Sequence, residues 1–174
     1  VSRTRWPLDL LSPFDREVML GRIAREVAAS GLEPPFAIRP ALVAEMVALY
    51  DHVRRQARTV DDFDRNLRAE LAPAVDTDRG AAQLLRQTAF LSAVFAGYER
   101  HLAAQGLVDE HGIRTALVAE RSARPLRHVV VTVADRVADP DGLWPVDFTL
   151  LSTLPLLERV DVVATEAMLA AGWL

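Results

Sequence analysis

The sequence predicts an α-rich α/β fold in which a helical bundle leads into a short parallel strand–helix–strand edge of an open sheet. Three observations predict it. Apolar residues recur every three or four positions through most of the chain before Arg121, as on the buried face of a helix. From Arg127 to Thr165 two β-branched runs flank a proline-started helical pattern. The chain of 174 residues is 51% hydrophobic with a mean hydropathy of +0.11, which suits a buried core and argues against disorder. The change of character at the connector predicts a helical domain over 1–125 and a partial α/β segment over 126–174.

The first helix is expected from Ser12-Pro13-Phe14-Asp15, an N-cap, a proline at the first helical position and an early acid. Phe14, Val18, Ile23 and Val27 continue it near helical spacing to Ser30-Gly31, where glycine suits the C-terminal cap. Glu33-Pro34-Pro35 reads as a linker. Pro40 starts a second helix with Leu42, Val43, Met46, Leu49, Tyr50 and Val53 on one face and Arg54, Arg55 and Arg58 at its far end. Thr59-Val60-Asp61-Asp62 has the form of a capping box, and Val60, Phe63, Leu67 and Leu71 carry a short third helix to Pro73. From Asp78 a longer helix bears Leu84, Thr88, Leu91, Phe95, Tyr98 and Leu102 at alternating steps of four and three, and Gln105-Gly106 ends it. A further helical pattern after Val108-Asp109-Glu110 carries Ile113, Leu117 and Val118.

Beyond the basic connector from Arg121 to Pro125, Val129 to Val133 predicts a strand buried on both faces. Asp135 to Gly142 predicts a turn-rich loop, Pro145 opens a helix with Val146, Leu150, Leu151 and Leu154, and Val160 to Ala164 predicts a second strand. Parallel strands joined by a helix form a right-handed β-α-β unit. Two strands cannot bury both faces alone, so either the preceding helices cover them or neighbouring strands lie outside this chain.

Composition excludes several classes of chemistry. The formal net charge is −4, so a broad basic surface for nucleic acid is not expected and any DNA contact would be local. All 20 basic residues are arginine. Without lysine there is no intact phosphate-loop GK[ST], no Schiff base and no lysine general base. Without cysteine there is no disulfide, thiolate nucleophile or cysteine zinc site. No apolar run is long enough to span a bilayer and the N-terminus lacks a signal-peptide block, which predicts a cytoplasmic protein with no membrane partner. A start at Val1 and an end at Trp173-Leu174 read as a piece of a longer protein.

Chemistry-bearing residues are sparse. Asp135, Asp139 and Asp141 follow the first strand, where open sheets bind ligands, and could hold magnesium; Asp-Pro-Asp-Gly is also an ordinary turn, and that is the preferred reading for Asp139 and Asp141. His52, His101, His111 and His128 have no metal-ligand spacing, and Ser12, Ser30, Ser92, Ser122 and Ser152 lack a nucleophile elbow. Tyr98-Glu99-Arg100-His101 is expected to serve core and surface roles. Candidate DNA contacts are Arg54, Arg55 and Arg58, which also suit a helix dipole, and Arg121, Arg124 and Arg127 in the connector. No catalytic residue, metal or cofactor is expected in this chain.

Phe95-x-x-Tyr98-Glu99-x-x-Leu102-x-x-x-Gly106-x-Val108-Asp109, followed by Leu126-Arg127-His128-Val129-Val130-Val131, resembles the region of UvrD-type superfamily-one helicases leading to their second ATPase motif. More specifically it resembles the degenerate helicase-like subunit of AddAB/RecBCD-type helicase-nucleases, of the PD-(D/E)XK nuclease family. The likeness covers about half the chain. It implies a RecA-like, P-loop NTPase-type sheet edge, a role in DNA repair and recombination, and a partner helicase-nuclease subunit. The whole protein would be an ATP-dependent exodeoxyribonuclease or helicase subunit. The departures imply that this chain is inactive by itself. Glu110-His111-Gly112 replaces the acids after Asp109, and Thr132 and Val133 stand where the metal-holding Asp and water-activating Glu belong, before Asp135.

Overall fold

The computed structural model describes residues 9–119, 126–133 and 143–166, which fall into two compact units, 9–113 and 114–166. The chain is helix-rich with two small parallel two-stranded sheets. Among the described residues no helix is long and apolar enough to cross a membrane.

The first unit contains α1 (Pro13–Ala29), α2 (Pro40–Arg55), α3 (Val60–Leu71), α4 (Arg79–Gln105) and the start of α5 (Glu110–Ala119), within which the division between units falls. Local chemistry sets the helix ends. The Ser12 hydroxyl accepts the Asp15 N–H at 3.2 Å and opens α1. Thr59 and Asp62 exchange side-chain and backbone hydrogen bonds at the head of α3, and Asp78 accepts the Gly80 N–H at 2.7 Å to cap α4. Gly106 ends α4 at φ 67°, a left-handed conformation that costs other residues energy.

Helix α4 is the spine of the core. Its Phe90, Val94, Phe95 and Tyr98 are buried against Leu20, Ile23 and Ala24 of α1, Met46 and Tyr50 of α2, and Val60 of α3. Phe63 of α3 stands 6.1 Å from Phe95, ring centre to ring centre. Gly97 lets α1 come close: a Cβ there would lie 2.8 Å from Ile23 Cγ2. Arg16 of α1 bonds Asp51 of α2 while Val43 of α2 touches Gly21, so the two helices run antiparallel.

Two features of the bundle differ from expectation. Phe14 and Val18 were expected on the inward face of α1, yet they are 72% and 54% exposed. The inward face is set by Arg16, Leu20, Ile23 and Ala24, and a two-residue offset turns a side chain about 200° around a helix. In α4, Leu84 of the expected seam is exposed and Phe90 and Val94 fill the core. A short parallel pair that periodicity did not signal joins the chain ends of this unit: β1 (Asp9–Leu10) runs beside β2 (Leu107–Val108), and the Leu11 N–H donates to the Val108 carbonyl at 2.9 Å. Strands of two residues carry too few side chains to show a period.

In the second unit β3 (His128–Thr132) and β4 (Arg159–Val163) pair in parallel, His128 opposite Arg159 and Thr132 opposite Val163, with α6 (Pro145–Thr153) between them in sequence. This is the expected strand–helix–strand order. Burial on both faces of β3 is not what is found: exposure alternates along the strand, and Val130 is 56% exposed. Val131 and Val133 share a cavity wall with Leu150 and Leu151 of α6, so that helix attends one face only. On the other face His128 donates to Asp161 at 2.9 Å, and Arg159 donates to the same carboxylate at 2.8 Å. No described residue from 114 to 166 is buried.

Candidate functional site

Among the described residues a polar cluster lies inside the bundle, where α1, α2, α4 and the head of α5 converge. Arg16 points from the inward face of α1, its guanidinium donating to both Asp51 oxygens at 3.1 and 2.5 Å and, through Nε, to the Tyr98 hydroxyl at 3.2 Å. A two-pronged fork of this kind is the strongest geometry open to an arginine and a carboxylate. His111 is 2.8 Å from Asp51 Oδ1 through Nε2. An ionised carboxylate only accepts, so Nε2 carries the proton. Asp109, almost fully buried, accepts the Gly112 N–H at 2.8 Å and so starts α5, while its Oδ2 lies 3.9 Å from Arg16. Tyr50 stacks edge-on with Tyr98 and His111 at ring separations of 5.3 and 5.6 Å, and its hydroxyl donates to Glu99 at 3.1 Å.

The electrostatics follow from burial and pairing. Burial works against the Arg16 charge, but hydrogen bonds to Asp51 outweigh it and raise its pKa above the ordinary arginine value. Burial alone would raise the Asp51 carboxyl; hydrogen bonds from His111 and Arg16 outweigh burial and hold it below the usual carboxylate range. Tyr98 is pushed up to about 12, chiefly by burial, and Tyr50 is raised as well by burial and the nearby Asp109 and Glu99. Neither phenol serves as a base near neutral pH.

Asp51, Glu110 and His111 place one potential ligand atom each within 4.8 Å of one another. The donor set suits an ion-pair network better than a divalent cation. Arg16 forks Asp51, Arg55 donates to Glu110 at 3.2 Å, and His111 Nε2 carries a proton where a metal would need a lone pair. Ligation would require two guanidinium groups to be displaced.

The arginines singled out in the sequence are dispersed. Arg54 pairs with Glu99 at 3.5 Å and Arg55 with Glu110, both within the bundle. Arg58 is exposed just beyond α2, its backbone N–H donating to the Val53 carbonyl at 3.2 Å. Arg127 is exposed beside β3, 3.7 Å from Glu158. Arg121, Arg124, Asp135, Asp139 and Asp141 lie outside the described residues. Thr132 and Val133 close the carboxyl end of β3 above a cavity of about 310 Å³ that also touches Leu143, Asp147 and Leu151. Its carboxylate, Asp147, accepts the Trp144 N–H at 3.0 Å and pairs with Arg114 at 3.4 Å.

The buried cluster was not foreseen. Its members come from segments as much as 95 positions apart, from Arg16 to His111, and the sequence places Asp109 and His111 only in an acidic or metal motif. One sign was present: a histidine directly after two acids at a helix head. In comparisons with protein-family models, with curated proteins and with solved structures, nothing matches this chain.

Proposed function

We propose that this chain is a non-catalytic scaffolding region, in which the helical unit folds on its own core and the β3–α6–β4 unit is the edge of a larger RecA-like sheet. The observation that carries the reading is the absence of any buried residue among those described from 114 to 166, although β3, α6 and β4 hold Val129 to Val131, Leu150, Leu151 and Val160. Parallel sheets are stable when both faces are covered. A β-branched parallel pair this open calls for further strands and a second layer.

With the resemblance of Tyr98 to Asp109 and of Leu126 to Val131, the larger protein would be a cytoplasmic helicase-nuclease subunit in DNA repair and recombination. This region would support its partner subunit and the path of DNA, with Arg58 and Arg127 as the exposed described contacts. Thr132 and Val133 at the carboxyl end of β3 supply no carboxylate for a magnesium ion or an attacking water. The expected result is no ATP hydrolysis by the purified chain and weak DNA binding whose affinity falls with salt between about 50 and 200 mM. ATP turnover abolished by Asp135→Asn would overturn it.

A second reading, a helical protein-interaction domain, is favoured by the ion pairs that hold Arg54 and Arg55 to Glu99 and Glu110. Arginines already neutralised within the bundle contribute little counterion release. DNA binding undetectable at low salt would select this reading over the first.

A further inference from the structure

Beside the core, α1 and the start of α2 form the walls of a groove of about 260 Å³, lined by Phe14, Val18, Gly21, Ile38, Pro40 and Val43. Glu17, Arg25 and Arg39 rim it. Phe14, Val18, Gly21 and Arg25 follow one another at steps of four, three and four, so they share one face of α1. Gly21 is buried against Val43 on that face, but Phe14 and Val18 beside it stand exposed, and the bundle leaves their exposure unexplained.

The charges at the rim are arranged by the helix packing. Because α1 and α2 run antiparallel, with Gly21 against Val43, Arg25 on α1 and Arg39 at the head of α2 come to the same end of the groove. Among the described residues neither arginine forms an ion pair or a side-chain hydrogen bond, whereas Arg16, Arg54 and Arg55 all do. Glu17 lies eight positions before Arg25, about 12 Å along the axis, and among the described residues it too forms no ion pair. The groove therefore has an apolar floor, two cations at one end and one anion toward the other.

We propose that this groove docks an amphipathic helix of a partner protein, with aliphatic side chains against Phe14, Val18 and Ile38 and carboxylates facing Arg25 and Arg39. Three features select that occupant. The groove is open to solvent along its apolar residues rather than an enclosed cavity, which suits side chains spaced along a helix. The paired cations select carboxylates at one end and set the direction in which the partner lies. Glu17 within the rim and a net charge of −4 oppose a phosphate backbone. The proposal concerns a surface of the helical unit and stands apart from how the β3–α6–β4 unit is completed.

The test uses the full chain and two synthetic amphipathic peptides with the same leucine stripe, one carrying glutamates at the end that meets Arg25 and Arg39 and one carrying lysines there. Affinity is read by titration and location by NMR shifts. The glutamate peptide should bind with shifts at Val18, Gly21 and Ile38, and the lysine peptide roughly tenfold more weakly, as two rim ion pairs predict. Arg25→Glu with Arg39→Glu should invert the preference, and Val18→Asp should abolish binding of both. All three positions are exposed, so an unchanged melting temperature separates lost docking from lost folding. Equal affinity for the two peptides, no binding of either, or shifts elsewhere would overturn the proposal. So would displacement of the glutamate peptide by an oligothymidylate, or concentration-dependent self-association through the same residues.

Discussion

Asp51 of α2 ties three helices of the bundle together, because Arg16 of α1 and His111 of α5 both bond to it. Removing it leaves buried Arg16 without its hydrogen-bonded counter-charge and with only Asp109 at 3.9 Å, so Asp51→Ala should destabilise the chain by about 3 kcal/mol. Replacing the charges together, Arg16→Met with Asp51→Leu and Asp109→Asn, should cost less than Asp51→Ala alone, since neither the guanidinium nor the buried Asp109 carboxylate is then left without an opposite charge. Denaturant unfolding of the two variants measures both. The same carboxylate sets an acid limit. Its folded pKa is depressed, so its contribution is complete above the unfolded carboxylate value of about 4 and is lost as pH falls through the folded value. The melting temperature should therefore drop below about pH 4, and Asp51→Asn should drop less steeply than the native chain. Little of this was legible beforehand: Arg16 and Asp51 are 35 positions apart, and a pattern of three or four residues carries no information at that range.

Helices were far more legible than the contacts between them, because their ends are chemical. Ser12, Thr59, Asp78 and Gly106 mark boundaries through local hydrogen bonds and backbone conformation, and those boundaries are where the sequence predicted them. Which face of a helix turns inward is settled by its neighbours. Phe14 and Val18 match the helical period as well as Leu20 does, yet only Leu20 meets α4. Gly97 is the element-scale determinant of that meeting. In an isolated helix Gly97→Ala would stabilise by about 1 kcal/mol through propensity. Here the new methyl would sit 2.8 Å from Ile23 Cγ2, and overpacking of about 1 to 3 kcal/mol should win. Gly97→Ala is expected to lower the melting temperature, and adding it to an Ile23→Ala background should cost less than adding it to the native chain. A double-mutant cycle reads that coupling directly.

At the scale of the whole molecule the contrast between the two units governs stability. Every buried residue described lies between Arg16 and His111, while the unit from 114 onward has none. The order of strand, helix and strand was readable because β-branched runs and Pro145 are local signals. Coverage of the sheet was not, since it depends on what packs against it. The exposed face of β3 and β4, with Val130 and Val163 beside the His128–Asp161–Arg159 bonds, is a compromise between a surface and an interior. Amide exchange reports local opening free energies, which follow buried apolar contact. Backbone amides of α1 and α4 should exchange only through global unfolding. Amides of β3, α6 and β4 should exchange orders of magnitude faster and without the denaturant dependence of the core. A fragment of residues 9–113 should keep the cooperative transition of the full chain, with its melting temperature shifted by only a few degrees, because the buried apolar area stays with it. Equal protection of β3 and α4 would mean that the sheet is already covered, and the case for a missing layer would fall with it.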